Sequence, residues 1–262
     1  MLAKPELVQE FKTAIHLAKQ IRQNPKMARI FCIANQKGGV GKTTTAVNLS
    51  VGLAKAGQRT LLIDLDPQCN ATSGVGLRPA EKHPLLLEKP LHESLLDTAW
   101  DRLKLLPGSR SFVDVDRLES EAGDAAQLRQ HLDACISSFD FVLIDCPPSL
   151  GQLTQAALSA STEVLMPIQC EFYAMEGLTQ MIHVIRDVMQ RVDGRLTFGG
   201  IVLTMYDPTL ELTHEVDAEV REFFGDMHLR YCYSSRCLCG RGAPAVASVM
   251  DALRDLEVLE RI

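Results

Sequence analysis

The segment Ile33-Ala-Asn-Gln-Lys-Gly-Gly-Val-Gly-Lys-Thr-Thr-Thr45 joins a short apolar run, Arg29–Asn35, to a helical pattern, Lys42–Ala56. Its three glycines let the backbone wrap around an anion with the N–H groups turned inward. The helix that follows offers the positive end of its dipole to the same anion. Lys42 can reach terminal phosphates, and the Thr43 hydroxyl can hold Mg²⁺. Gly38, Gly39, Val40, Gly41, Lys42, Thr43 and Thr44 are the candidate phosphate-binding residues, together with Lys37. The general spacing G-x-x-x-x-G-K-[ST] is broken at its first glycine, where Gln36 stands, and Lys37 precedes the glycine pair.

Working outward, short β-branched runs alternate with helical patterns. Strands are expected at Arg29–Asn35, Thr60–Asp64, Lys104–Leu106, Phe141–Asp145, Glu163–Gln169 and Gly200–Thr204. Helices are expected at Lys42–Ala56, Asp124–Ser137, Leu153–Ser159, Met175–Arg191 and Leu212–Phe224. Near-continuous apolar strands suit a sheet covered on both faces. The fold class is therefore α/β: a doubly wound, mainly parallel sheet with helices on both faces. Such sheets bind ligands at the carboxyl ends of their strands.

Three acidic residues fall at that edge. Leu61-Leu-Ile-Asp-Leu-Asp-Pro-Gln68 delivers Asp64 and Asp66, and Asp140-Phe-Val-Leu-Ile-Asp-Cys-Pro-Pro148 delivers Asp145. One carboxylate can hold Mg²⁺ through water while another orients the attacking water. Downstream of a phosphate loop, these carboxylates point to an ATPase site using ATP and Mg²⁺.

A lysine placed as Lys37 is the mark of the deviant Walker A loop, K-G-G-x-G-K-[ST]. In five stretches the sequence resembles the ParA family of partition ATPases, also called Soj, within the ParA/MinD group of P-loop proteins. The stretches are ANQKGGVGKTTTAVNLS, LLIDLDPQCNATSGVG, FDFVLIDCPPSLG, MPIQCEFYAMEGL and LTMYDPTLEL, in family order across roughly residues 29–225. The D-P-Q-x-N-A-T pattern favours ParA over MinD. The resemblance implies a slow ATP hydrolase that dimerises with ATP and binds double-stranded DNA without sequence preference. It also implies a ParB-type activator protein and a cytoplasmic, nucleoid-associated location. By the same resemblance, Lys37 reaches the partner subunit's nucleotide and Lys42 holds phosphate in its own subunit. Thr43 coordinates Mg²⁺, Asp145 matches the Walker B acid, and Asp66 matches the aspartate associated with hydrolysis, with Asp64 beside it. The catalytic set is thus Lys37, Lys42 and Asp66, and the metal set Thr43, Asp145 and Asp64.

The two ends stand apart. The 262 residues carry 27 Lys+Arg against 33 Asp+Glu, a formal charge of −6. Residues 1–30 hold six basic and two acidic groups, +4 net, which leaves −10 for the rest. Leu7, Phe11, Ile15, Ala18 and Ile21 recur at helical spacing, so residues 1–28 read as a basic amphipathic extension to an ATPase domain spanning 29–262. That extension docks on the body or a partner subunit, or contacts DNA or anionic lipid. Residues 226–262 lack the family's signatures. There Cys232, Cys237 and Cys239, spaced C-x4-C-x-C with His228 nearby, are either incidental or a metal site, and no paired knuckle is present. Arg221, Arg230, Arg236 and Arg241 form a modest basic patch suited to DNA. No run of 18 apolar residues exists to span a membrane. The acidic tail Asp251–Ile262 argues against a MinD-like anchor. An iron–sulfur electron-transfer relative shares the loop but not the D-P-Q segment.

Overall fold

The computed structural model of the chain describes residues 28–86, 90–113, 123–171, 174–192, 195–224 and 228–230. The amphipathic extension, the cysteine cluster and most of the divergent tail lie outside the described residues.

Among the described residues, eight strands form one sheet: β1 Arg29–Ile33, β2 Thr60–Asp64, β3 Leu96–Asp97, β4 Leu103–Leu106, β5 Phe141–Asp145, β6 Glu163–Gln169, β7 Thr197–Thr204 and β8 His228–Arg230. Their spatial order is β3-β4-β2-β5-β1-β6-β7-β8. Every neighbouring pair is parallel except β3 with β4. Among the described residues, six helices accompany them: α1 Lys42–Lys55, α2 Asn70–Gly74, α3 Gly123–Asp133, α4 Gln152–Ala160, α5 Ala174–Arg191 and α6 Glu211–Phe224. The expected doubly wound α/β sheet is what the chain adopts.

Two apolar layers cover the sheet. On one side Phe31, Ile33, Leu62 and Leu143 pack against Ala46, Leu49 and Leu53 of α1. On the other, Ile30, Cys32, Ile63, Val142 and Ile144 meet Leu132 of α3, Ala157 of α4, Ile182 of α5 and Val220 of α6. Burial on both faces is why β2 and β5 are apolar at nearly every position. Each large side chain so buried contributes about 1.5–3 kcal/mol.

β7 begins at Thr197, three residues ahead of expectation, because Gly199 and Gly200 read as a break in a strand. The sheet instead absorbs one extra residue there: Val164 pairs with Phe198 but Leu165 pairs with Gly200. The expected helix Asp124–Ser137 stops at Asp133, and a short 3₁₀ turn follows at Ile136–Ser138. Among the described residues, no helix is long and apolar enough to cross a membrane.

Candidate active site

The parallel register sets the site. Ile33 and Asp64 both lie opposite Asp145, so β1, β2 and β5 end level with one another. Gln169 of β6 lies opposite Thr204 of β7 on the same edge. The loop 34–41 rises from β1 into this edge and enters α1 at Lys42.

Several side chains hold the loop open. Asn35 Nδ2 donates to the Pro167 carbonyl at 2.7 Å, and Asn35 Oδ1 accepts from the Lys37 N–H at 3.0 Å. The Thr204 hydroxyl lies 2.8 Å from the Val40 carbonyl and 3.2 Å from that of Ile168, donating to one at a time. Gly41 closes the loop at φ +89°, where a Cβ would also lie 3.4 Å from Thr204 Cγ2. With the carbonyl of Val40 drawn back toward β7, loop N–H groups are left to face an anion.

Lys42, Asp66 and Asp145 lie close enough to act on one another electrostatically. Lys42 is buried, and its Nζ donates to the Lys37 carbonyl at 2.8 Å. Burial pushes its pKa down, while Asp145 and Asp66 oppose that shift. Asp145 is fully buried, and among the described residues neither carboxylate oxygen makes a well-formed hydrogen bond, although the Thr43 hydroxyl acts on it. Burial, then the Asp64 charge, hold its carboxyl well above the usual range; Asp66 adds to this, while the Thr43 hydroxyl and Lys42 pull the other way. A buried acceptor without a donor is costly unless something positive completes it. Among the described residues, no three His, Cys, Asp or Glu side chains are grouped to hold a metal ion. A hard cation here would rest on few protein oxygens, with Asp145 and Thr43 as the fitting donors and phosphate or water for the remainder, as suits Mg²⁺.

The other two carboxylates differ. Asp66 Oδ1 accepts from the Gln68 N–H at 2.8 Å, and its carbonyl accepts from the Cys69 N–H at 2.8 Å. Asp64, expected among the metal-binding residues, has both oxygens engaged by protein donors: Oδ1 by the Asp66 N–H, Oδ2 by the Thr72 N–H and hydroxyl. Burial raises its pKa to about 6 against the pull of those hydrogen bonds.

Lys37 forms an ion pair with Glu171, just beyond β6 in its own subunit. Glu171, Asn35, Thr204 and Thr72 were not singled out from sequence, although all four lie inside the quoted family stretches. Beneath the loop, the Cys32 and Cys146 sulfurs lie 3.4 Å apart and fully buried. Their contact and burial push the Cys146 thiol well up, a state in which thiols are inert.

Comparison with known proteins agrees with this geometry. The family profile described as "AAA domain" matches residues 28–198. The chromosome partitioning protein ParA of Myxococcus xanthus is 44% identical over 204 residues, covering 76% of this chain and 72% of that protein. The sporulation initiation inhibitor protein Soj of Bacillus subtilis is 40% identical over 211 residues, covering 76% and 81%. In structure, the chain is similar to cobyrinic acid a,c-diamide synthase from Mycobacterium smegmatis, solved with a bound ATP analog and magnesium. That likeness has a TM-score of 0.79 at 32% identity and covers 89% of this chain and 96% of the synthase. With the loop, the strand-edge carboxylates and these relatives in agreement, the chain belongs to the ParA/Soj family of chromosome-partitioning ATPases.

Proposed function

We propose that this chain is a Mg²⁺–ATP-dependent dimerising switch for chromosome or plasmid partition, binding DNA without sequence preference in its ATP state and reset by a ParB-type activator. The strongest support is Asp145, fully buried, with neither oxygen in a well-formed hydrogen bond among the described residues, and near both Thr43 and Lys42. Mg²⁺, when bound, neutralises charge on the β- and γ-phosphates. The loop N–H groups and the α1 N-terminus cradle the phosphates, with Lys42 exchanging its Lys37 carbonyl for phosphate oxygen. Asp66, fixed by its own turn, orients the attacking water.

Lys37 is the element that ties nucleotide to assembly. In the isolated chain it is neutralised by Glu171; in a dimer it contacts the partner subunit's nucleotide. A charge that gains its phosphate contact only across an interface makes assembly dependent on ATP. DNA contact falls mainly to the +4 extension and the divergent tail, because Arg221 is ion-paired to Asp217 at 2.9 Å within α6.

The test is retention of the full chain on duplex DNA with ATP, ADP or no nucleotide across a salt series. Retention that needs ATP and falls steeply with salt is expected. Equal retention in all three states, or none in any, overturns the DNA-switch function.

A further inference from the structure

We propose that Asp64 is a positioning residue that holds the Asp66 turn, and not one of the groups that face the metal. This rests on the ATPase function proposed above and assigns its carboxylates separate tasks.

Asp64 ends β2 and is fully buried. Its Oδ1 accepts from the Asp66 N–H at 3.2 Å, and its Oδ2 accepts from the Thr72 N–H at 2.8 Å and the Thr72 hydroxyl at 2.6 Å. One carboxylate therefore grips the first and last parts of the segment 66–72. Between them the chain is tightly wound, with Cys69 held at φ 57°, a conformation unfavourable for a residue with a Cβ. The turn that aims Asp66 is kept in this state from outside.

Two further contacts brace the grip. The Thr72 hydroxyl, having donated to Asp64, accepts from the Gly108 N–H at 2.9 Å, tying in the loop after β4. Gly108 must be glycine for that approach, since a Cβ there would lie 2.8 Å from Asp64 Cγ. The Asp64 carbonyl accepts from His83 Nε2 at 3.0 Å, while His83 Nδ1 accepts from the Leu85 N–H at 3.2 Å. Three separate segments thus converge on one residue. A carboxylate has about four acceptor sites, and three of those on Asp64 are filled by protein donors. Asp145, its register partner on β5, has none filled by a well-formed hydrogen bond among the described residues, with the Thr43 hydroxyl acting on it more weakly. The two neighbouring acids are separated by their donors: one braced, one open to a cation.

The experiment compares the full wild-type chain with Thr72→Val, Thr72→Ser, Gly108→Ala and Asp64→Asn. Steady-state ATP hydrolysis gives kcat, KM for ATP and the half-saturating Mg²⁺ concentration. Amide hydrogen exchange across residues 66–72 is measured on the same samples, and thermal unfolding checks that each is folded. Thr72→Val and Gly108→Ala should lower kcat by about 10- to 100-fold, the cost of misplacing a group indirectly. KM and the Mg²⁺ half-saturation should stay within about twofold, Thr72→Ser should keep the wild-type kcat, and exchange over 66–72 should rise in both impaired variants. Wild-type kcat and exchange in Thr72→Val overturn the proposal. So does an Asp64→Asn chain needing about tenfold more Mg²⁺ while Thr72→Val does not, for then the carboxylate faces the metal. Hydrogen exchange needs no turnover. A wild-type chain that fails to hydrolyse ATP would remove the ATPase function, while exchange still decides whether Asp64 holds the turn.

Discussion

Replacing Glu171 with Gln removes the partner that neutralises Lys37 within its own subunit, and it should strengthen ATP-dependent self-association. The magnitude follows from exposure. The Lys37 and Glu171 side chains are 43% and 29% exposed, so the ion pair is partly screened by water. Pairs of this kind contribute about 0.2–1 kcal/mol. A dimer in which both lysines cross the interface gives up two such pairs, or about 0.4–2 kcal/mol in total. At about 1.4 kcal/mol per decade, the substitution should tighten the dimer by about 2- to 30-fold. The assay is sedimentation velocity across a protein dilution series with a non-hydrolysable ATP analogue, at low and at high salt. Because screening weakens the competing pair in the wild type, the gap should narrow as salt rises. Combining Glu171→Gln with Lys37→Ala isolates the lysine: the double variant should associate no better than Lys37→Ala alone. A Glu171→Gln chain that dimerises more weakly than wild type, at equal nucleotide affinity, refutes the reasoning, since Glu171 would then be presenting Lys37 to the partner.

Four further outcomes are expected. His83 is fully buried with its pKa pushed down to about 4 from 6.5, so the folded state binds fewer protons than the unfolded one. Its stability contribution is complete above about pH 6.5 and is lost toward pH 4; in urea unfolding the wild-type advantage over His83→Gln should shrink by up to ~3 kcal/mol across that window. Asp145 has the opposite sign. Its raised pKa makes the ligand-free fold pay a penalty that is absent below about pH 4 and grows as pH rises, so Asp145→Asn should unfold at a higher temperature than wild type near pH 7 while losing the extra stabilisation conferred by Mg²⁺ with ADP. Gly41→Ala forces a Cβ into the left-handed region at about 1–2 kcal/mol and against Thr204; calorimetry should find ATP binding weakened by about tenfold or more. Asp66→Ala should keep nucleotide binding but lose hydrolysis by about 100-fold, and turnover at the wild-type rate would remove its water-orienting role.

What could be read before folding was whatever a few consecutive residues encode. The phosphate loop is local chemistry: glycine freedom, a lysine and a hydroxyl at fixed offsets, with a strand before and a helix after. β2, β5 and β6 were readable to the residue because burial on both faces leaves little but apolar side chains between turn signals. Two-residue β3 has no such period, and five-residue α2 lies in a segment, Asn70–Gly74, whose composition reads as a turn. The site's supporting residues were hidden for a different reason. Glu171 is separated from Lys37 by 134 positions and reaches it only because β6 lies beside β1 in the sheet. Asp64 and Asp66 share a strand end and the same residue type, so nothing local divides their labour. The division comes from Thr72 and Gly108, two small residues brought in by α2 and by the loop after β4. In this fold the groups proposed to hold phosphate are written contiguously in the chain, whereas the groups that would aim them are assigned by strand order.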